Sequence, residues 1–207
     1  MNIKNPNRKI KFSASLSMFP ILFCIISCNG PRYAFIAIGT AVIHELGHII
    51  AAKLLKINIS SMKLDMLGAR INMGSELVSY PREILLCAAG PGANILTVLV
   101  CLLFIHSETV AFVAASSAVL ATINLMPIHS FDGGRILSSV ISSFFGTLVS
   151  RRVVDITSAI CLSVVWIISS YLLLRVGASL SVFIFCISVF GSVFLARDNE
   201  IKPDEVS

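Results

Sequence analysis

Charged side chains are scarce in this sequence. Only 13% of its 207 residues are Asp, Glu, Lys or Arg, whereas 56% are hydrophobic. An average soluble domain carries about twice that charged fraction. The mean hydropathy is +0.90. Because long, nearly uncharged stretches belong in a bilayer, this composition argues against an ordinary soluble domain and predicts an integral membrane protein.

The cysteines show no spacing typical of a metal or redox site. There are six, none of them in a Cys-x-x-Cys pair, and all fall in apolar runs, where they are best interpreted as small packing residues. The net charge of +5 does not require a nucleic acid, because basic residues beside membrane spans normally set topology. We therefore expect a lipid bilayer around the protein and no nucleic-acid partner.

Six apolar segments are candidates for membrane spans. They lie at roughly 12–29, 33–55, 84–105, 109–126, 153–174 and 178–195. The first is short and follows a basic stretch, so it also resembles a signal peptide. Only a few residues separate it from the second span, which leaves no room for a soluble mature start. The sequence predicts an all-α polytopic membrane protein with six transmembrane helices, forming a single integral-membrane domain over residues 1–207.

Basic residues predict the orientation of these spans. With the N-terminus in the cytosol, only Arg32 and Arg175 of the 16 lysines and arginines fall outside. The positive-inside rule therefore predicts a multi-pass protein of the cell membrane with both termini in the cytosol. In this frame the second span runs from outside to inside.

Two cytosolic segments have patterns that do not fit a span. Segment 56–82 alternates polar and apolar residues on both sides of Gly68, which predicts a small β-hairpin at the membrane surface; an ordinary loop fits about equally well. From Ile136 to Leu148, apolar residues repeat at helical spacing opposite a row of serines. This pattern indicates a helix lying in the membrane interface.

The most informative motif is His44-Glu45-x-x-His48, in the cytosolic half of the second span. Ionisable groups inside a span are costly, so they are functional candidates by default. Residues four apart share a helix face, so both histidines can bind one metal ion, while Glu45 can reach a water molecule beside it. Two imidazoles and a carboxylate base are the pattern of zinc hydrolases.

A catalytic zinc site needs a third protein ligand, and two candidates follow the fourth span. Pro127 breaks that helix, and both His129 and Asp132 then lie near the cytosolic end of the membrane, as the histidine pair does. Two glycines after Asp132 let the backbone turn sharply. Asp132 could instead cap the interfacial helix, and His129 could be an interfacial histidine without a metal.

Two motifs together resemble the site-2 intramembrane metalloproteases. They are His44-Glu45-Leu46-Gly47-His48 and Asn124-x-x-Pro127-x4-Asp132-Gly133. The resemblance extends over nearly the whole chain, and is strongest to the compact bacterial branch that includes the sporulation protease acting on a pro-sigma factor. It implies that Asp132 is the third zinc ligand and that Asn124, with Pro127 of the same motif, contributes to substrate binding.

The resemblance also covers Gly90-Pro91-Gly92-Ala93-Asn94 in the third span. Small residues there allow close helix approach, and Asn94 could satisfy a carbonyl freed by Pro91 or orient a zinc ligand. Close packing without a catalytic role is the preferred interpretation of this run.

The sequence thus predicts a zinc endopeptidase that cleaves membrane-embedded or membrane-associated proteins. His44, His48 and Asp132 would bind Zn²⁺, and Glu45 would act as the general base. An inactive zinc-binding regulator is an alternative, although it would not need Glu45. A metal transporter is a weaker one, because the first, fifth and sixth spans offer almost no ionisable residues at mid-membrane.

Overall fold

Five α-helices and three short strands make up the part of the chain that the computed structural model describes. The described residues are 11–14, 31–57, 59–65, 68–73, 78–104 and 107–176. The helices are α1 (Pro31–Leu54), α2 (Tyr80–Leu103), α3 (Glu108–Asn124), α4 (Asp132–Phe145) and α5 (Thr147–Val176). The strands are β1 (Lys11–Ala14), β2 (Ile59–Asp65) and β3 (Gly68–Met73).

Three of these helices are long and apolar enough to cross a bilayer. They are α1, α2 and the portion Thr147–Tyr171 of α5, while α3 is a shorter apolar helix of 17 residues. The predicted class, a helical membrane protein, is therefore confirmed. The number of spans stays a prediction, because 178–195 and most of 12–29 lie outside the described residues.

The predicted first span is wrong at its beginning. Residues 12–14 belong to strand β1, which pairs in parallel with β2, rather than to a helix. Lys11-Phe12-Ser13-Ala14 alternates polar and apolar residues, a pattern with the period of a strand. A search for apolar runs ignores that alternation and merges it with the apolar residues that follow.

The three strands form one small sheet in the order β1-β2-β3. Strands β2 and β3 pair antiparallel within the segment 56–82, with a register irregularity between Ile59 and Ser61. An antiparallel pair of adjacent strands is the arrangement predicted for this segment. The location of the sheet at the membrane surface stays a prediction.

Helix α1 has one face turned to its neighbours and one turned outward. The buried face carries Thr40, His44, His48 and Ala52 at intervals of four residues. The outward face carries large apolar side chains: Phe35, Ile38, Val42, Leu46, Ile50 and Leu54. Because hydrocarbon solvates an apolar face well, the outer stripe suits lipid and the inner stripe is free to hold polar groups.

Helices α1 and α2 approach closely at Gly47. A Cβ atom added there would lie 2.5 Å from the carbonyl oxygen of Ala89 and 2.9 Å from Cβ of Ala93. Only hydrogen at this position lets the two backbones pack at their present separation. This close approach brings the histidine face of α1 against α2.

The connection from α3 to α4 is held by α5. After α3 ends, the carbonyl oxygen of Pro127 accepts hydrogen bonds from the hydroxyls of Thr157 (3.2 Å) and Ser158 (3.5 Å). The backbone N–H of His129 donates to Oγ of Ser158 at 2.9 Å. Ile128 and Phe131 pack with Leu162 in a buried apolar cluster. These contacts fix the start of α4.

Helix α4 begins four residues before the predicted interfacial helix. Its first turn is Asp132-Gly133-Gly134, and all three residues are buried. A Cβ on either glycine would collide with backbone atoms of the preceding connection, at Leu125 or Ile128. The helix therefore starts at Asp132 because the two glycines fit against that connection. The spacing of apolar residues in the sequence does not reveal this packing.

We expect Gly47→Ala to destabilise the protein and Gly39→Ala, on the same helix, to leave it intact. The first forces α1 and α2 apart, and overpacking of this kind costs about 1–3 kcal/mol. At Gly39 an added Cβ meets no described atom within 4 Å, and alanine favours a helix by about 1 kcal/mol. Thermal unfolding in detergent compares the two variants. Equal melting temperatures would contradict the close packing at Gly47.

Candidate metal centre

Two histidines of α1 point their Nε2 atoms at one another. His44 and His48 are one turn apart on the buried face of the helix, with residue exposures of 3% and 4%. Their Nε2 atoms are 3.2 Å apart, and the two rings meet edge to face at 83°. Burying two imidazoles with converging nitrogens is unfavourable unless something bridges them.

Asp132, at the start of α4, completes a three-atom cluster with these nitrogens. Its Oδ2 atom lies 3.1 Å from Nε2 of His44 and 3.2 Å from Nε2 of His48. Zinc bonds of about 2.0–2.1 Å in a tetrahedral arrangement set ligand atoms about 3.3 Å apart. Two imidazole nitrogens and one carboxylate oxygen at this spacing fit a zinc ion.

The opposite side of the His48 ring is held by α2. Its Nδ1–H donates to the carbonyl oxygen of Leu86 at 2.8 Å. A proton fixed on Nδ1 leaves a lone pair on Nε2, the atom that faces the cluster. The ring is therefore held in the tautomer that binds a metal through Nε2.

Gly90 lies against both rings. A Cβ added there would be 2.6 Å from Cε1 of His48 and 2.8 Å from Cε1 of His44, and closer still to Nε2 of His48. Leu86, Gly90 and Asn94 are spaced one turn apart and so share one face of α2. That face supports both histidines, and any side chain at position 90 would occupy their space.

The carboxylate of Asp132 is kept ionised by its neighbours. Burial opposes ionisation, but the imidazoles of His44 and His48 beside the carboxylate outweigh it and hold the pKa of Asp132 below its usual value. An ionised carboxylate is the form that binds a cation. The centre therefore has one negative charge available to offset part of the charge of a divalent metal.

Glu45 lies next to the cluster but outside its donor set. It is half-buried, and its charge is close enough to act on His48. A base beside a metal site should stand near the ligands without being one of them, as this residue does.

The structure separates the two candidates for the third ligand. Asp132 joins the histidines, whereas His129 is exposed and is not part of the donor group found among the described residues. Its backbone N–H, rather than its ring, makes the contact with Ser158. Asp132 is also inside the first turn of α4, so the alternative role of a cap preceding that helix does not match its position.

Asn124 and Pro127 lie near the centre in sequence but have other partners. Asn124 is 6% exposed, and its Nδ2 atom donates to the carbonyl oxygen of Leu120 at 3.0 Å. The Pro127 carbonyl accepts from α5, as described above. Neither residue belongs to the donor group.

Sequence patterns missed two parts of this site. The Leu86 carbonyl is a backbone group, and no residue type marks it. The ion pair between Arg135 of α4 and Glu83 of α2, at 3.4 Å, links the helix that carries Asp132 to the helix that supports the histidines. The small residues of the Gly90–Asn94 run were the available signal that α2 comes close to the motif on α1.

Comparison with known proteins supports the resemblance seen in the sequence. Residues 105–168, which include the segment from Asn124 to Asp132, match the family model described as peptidase family M50. This match supports the resemblance to the site-2 proteases that the two sequence motifs indicate. No curated protein sequence matches this chain. The family match supports a membrane metalloprotease, and the enzymes of the M50 family use zinc.

A solved structure also has this fold. The site-2 protease from Methanocaldococcus jannaschii superimposes with a TM-score of 0.66 and 21% sequence identity. The alignment covers 100% of this chain and 96% of the archaeal chain. At this identity the likeness describes the fold, and the roles of individual residues depend on the geometry of the centre.

We expect Asp132→Ala to lose bound zinc and His129→Ala to keep it. Removing one of three converging donors leaves two imidazoles, which bind zinc much more weakly. His129 contributes no side-chain atom to the cluster. Metal analysis of the two purified variants tests this. Zinc lost from His129→Ala and kept by Asp132→Ala would reverse the assignment.

We also expect Gly90→Ala to abolish zinc binding while Gly92→Ala retains it. A methyl group at position 90 displaces the two imidazole rings, whereas one at position 92 meets no described atom within 4 Å. Both changes replace glycine by alanine in the same helix, so they share the same effect on helix propensity. Zinc content and proteolysis are measured on both. Full zinc occupancy in Gly90→Ala would show that the rings do not depend on this gap.

Proposed function

We propose that this protein is an intramembrane zinc endopeptidase in which His44, His48 and Asp132 bind the metal and Glu45 is the general base. The observation that carries the proposal is the convergence of two Nε2 atoms and one Oδ2 atom within 3.2 Å, on buried side chains from two helices. A catalytic zinc set of two histidines and a carboxylate leaves one position open for water or substrate.

The chemistry that bound zinc supplies is polarisation of the scissile carbonyl and acidification of a water molecule. The protein contributes the rest. Glu45 takes a proton from the attacking water and passes it to the nitrogen of the leaving amine. His44 and His48 stay neutral, each with its Nε2 lone pair directed at the centre, and Asp132 provides the negative charge.

Substrates are proposed to be membrane-spanning or membrane-associated proteins. A helical substrate hides its peptide bonds inside its own hydrogen bonds, so it must unwind locally before attack. Asn124 and Pro127 are proposed to contact the unwound stretch. An edge of the sheet in segment 56–82 could hold it by strand addition. A pro-sigma factor or another regulatory protein would be a suitable substrate.

Water must reach a centre enclosed by apolar helices. We propose a polar entry from the cytosol, with both termini on that side and residues 1–207 forming one domain. The proposal is supported by the basic residues of the cytosolic segments and by the half-buried Arg135–Glu83 pair beside the start of α4. Charged side chains of this kind are tolerated where water is accessible.

We expect Glu45→Gln to abolish proteolysis while zinc stays bound. The amide keeps the size of the side chain but cannot accept a proton, and loss of a general base typically costs about 10²–10⁴-fold in rate. The variant and the wild type are co-expressed with a panel of single-span proteins, and cleaved products are identified by mass spectrometry. Zinc content is measured on the purified proteins.

Glu108→Gln is the matched control for this experiment. Glu108 is exposed in the first turn of α3, so the same chemical change there should leave both cleavage and zinc unaffected. Cleavage at the wild-type rate by Glu45→Gln would refute the proposed base. Zinc loss from Glu45→Gln would make Glu45 a ligand instead.

A further inference from the structure

Asn94 is a fully buried polar side chain beside the metal centre. It lies on α2 with 0% exposure, and its carboxamide nitrogen is 3.2 Å from Nδ1 of His44. The other end of the amide, Oδ1, is buried and has no hydrogen-bond partner among the residues that the structure describes. Burying an amide oxygen without a donor costs about 1–3 kcal/mol. A side chain that only filled space would be better replaced by an apolar one.

The position of the proton on His44 decides what Asn94 does. Nε2 of His44 faces Asp132 and His48, so it must carry a lone pair if it is to bind a metal. In a neutral imidazole the proton then lies on Nδ1, which needs an acceptor. A carboxamide nitrogen is a donor and cannot meet that need.

Rotating the carboxamide of Asn94 by half a turn pairs its oxygen with the proton on Nδ1 of His44. The rotation exchanges Oδ1 and Nδ2, so that Oδ1 faces Nδ1–H of His44. The hydrogen-bond network selects between the two orientations, and metal binding requires the one in which oxygen faces the imidazole. The buried oxygen then gains a donor and the histidine gains an acceptor.

We propose that Asn94 is a positioning residue that accepts a hydrogen bond from Nδ1–H of His44 and so holds this zinc ligand in its metal-binding tautomer. This inference rests on the proposed zinc site. It makes the two histidines equivalent: the Leu86 carbonyl orients His48, and the Asn94 side chain orients His44. Both acceptors lie on the face of α2 that Gly90 keeps open.

The two histidines have different kinds of partner: a backbone carbonyl orients His48, whereas a side chain orients His44. Carbonyl oxygens along a helix are directed toward its C-terminal end and are already used by the helix. Leu86 can accept a second hydrogen bond because a carbonyl oxygen has two lone pairs. His44 is contacted two turns further along α2, where the carboxamide of Asn94 reaches Nδ1 of its ring. Partners of this kind typically change metal affinity about 10–100-fold.

The test compares zinc affinity in Asn94→Asp and Asn94→Leu, using the full-length protein in detergent. Aspartate offers only acceptor oxygens, whereas leucine has a similar volume and no acceptor. Zinc dissociation constants are measured by competition with a chelator. We expect Asn94→Leu to weaken zinc binding by about 10–100-fold and Asn94→Asp to lose less than about tenfold.

The pattern across the variants separates this inference from the proposed function. Zinc binding by Asn94→Leu as tight as that of the wild type would overturn it, and so would binding by Asn94→Asp as weak as that of Asn94→Leu. A wild-type protein that binds no zinc would overturn the proposed zinc site as well. Thermal unfolding of the chelator-treated variants checks that each is folded, and Asn94→Ala supplies the variant without an acceptor if Asn94→Leu does not fold.

Discussion

The metal centre depends on the close approach of α1 and α2. Glycine at position 47 lets the two backbones come together, and glycine at position 90 leaves room for the imidazole rings that this approach brings in. Helices in a bilayer gain little from burying apolar side chains against each other, because lipid solvates those side chains equally well. Close packing and polar contacts must therefore hold the pair. The hydrogen bond from His48 to the Leu86 carbonyl is one such polar contact. The metal centre and the α1–α2 pair therefore stabilise each other.

The third donor reaches this pair from a distant part of the chain. Asp132 is 88 residues from His44, and it arrives on a helix that begins within a fixed connection. Hydroxyls of α5 bind the backbone at Pro127 and His129, and the Arg135–Glu83 pair joins α4 to α2. Each link uses a group that hydrocarbon solvates poorly. Among the described residues, these polar groups position Asp132, while many large apolar side chains face outward.

Sequence patterns could predict the part of the site that depends on local spacing. The histidines one turn apart on an apolar helix, and a carboxylate after a proline break and before two glycines, are visible without a fold. Other features depend on packing and were not predictable. Helix α4 begins at Asp132 because its glycines fit under the connection, and β1 replaces the start of a predicted span because it pairs with β2. Hydropathy reports neither backbone pairing nor helix contact.

Proteolysis within a membrane sets two requirements that oppose each other, and the distribution of polar groups meets both. The ligands must be shielded, since neutral imidazoles and a single ionised carboxylate bind a cation most strongly where water does not compete. The reaction nevertheless consumes water. The three donors are nearly inaccessible, whereas Glu45, the proposed base, is only half-buried. Because one carboxylate oxygen of Glu45 is nevertheless buried, water has to reach the base as well as the donors, which is why the proposed function includes a polar entry from the cytosol.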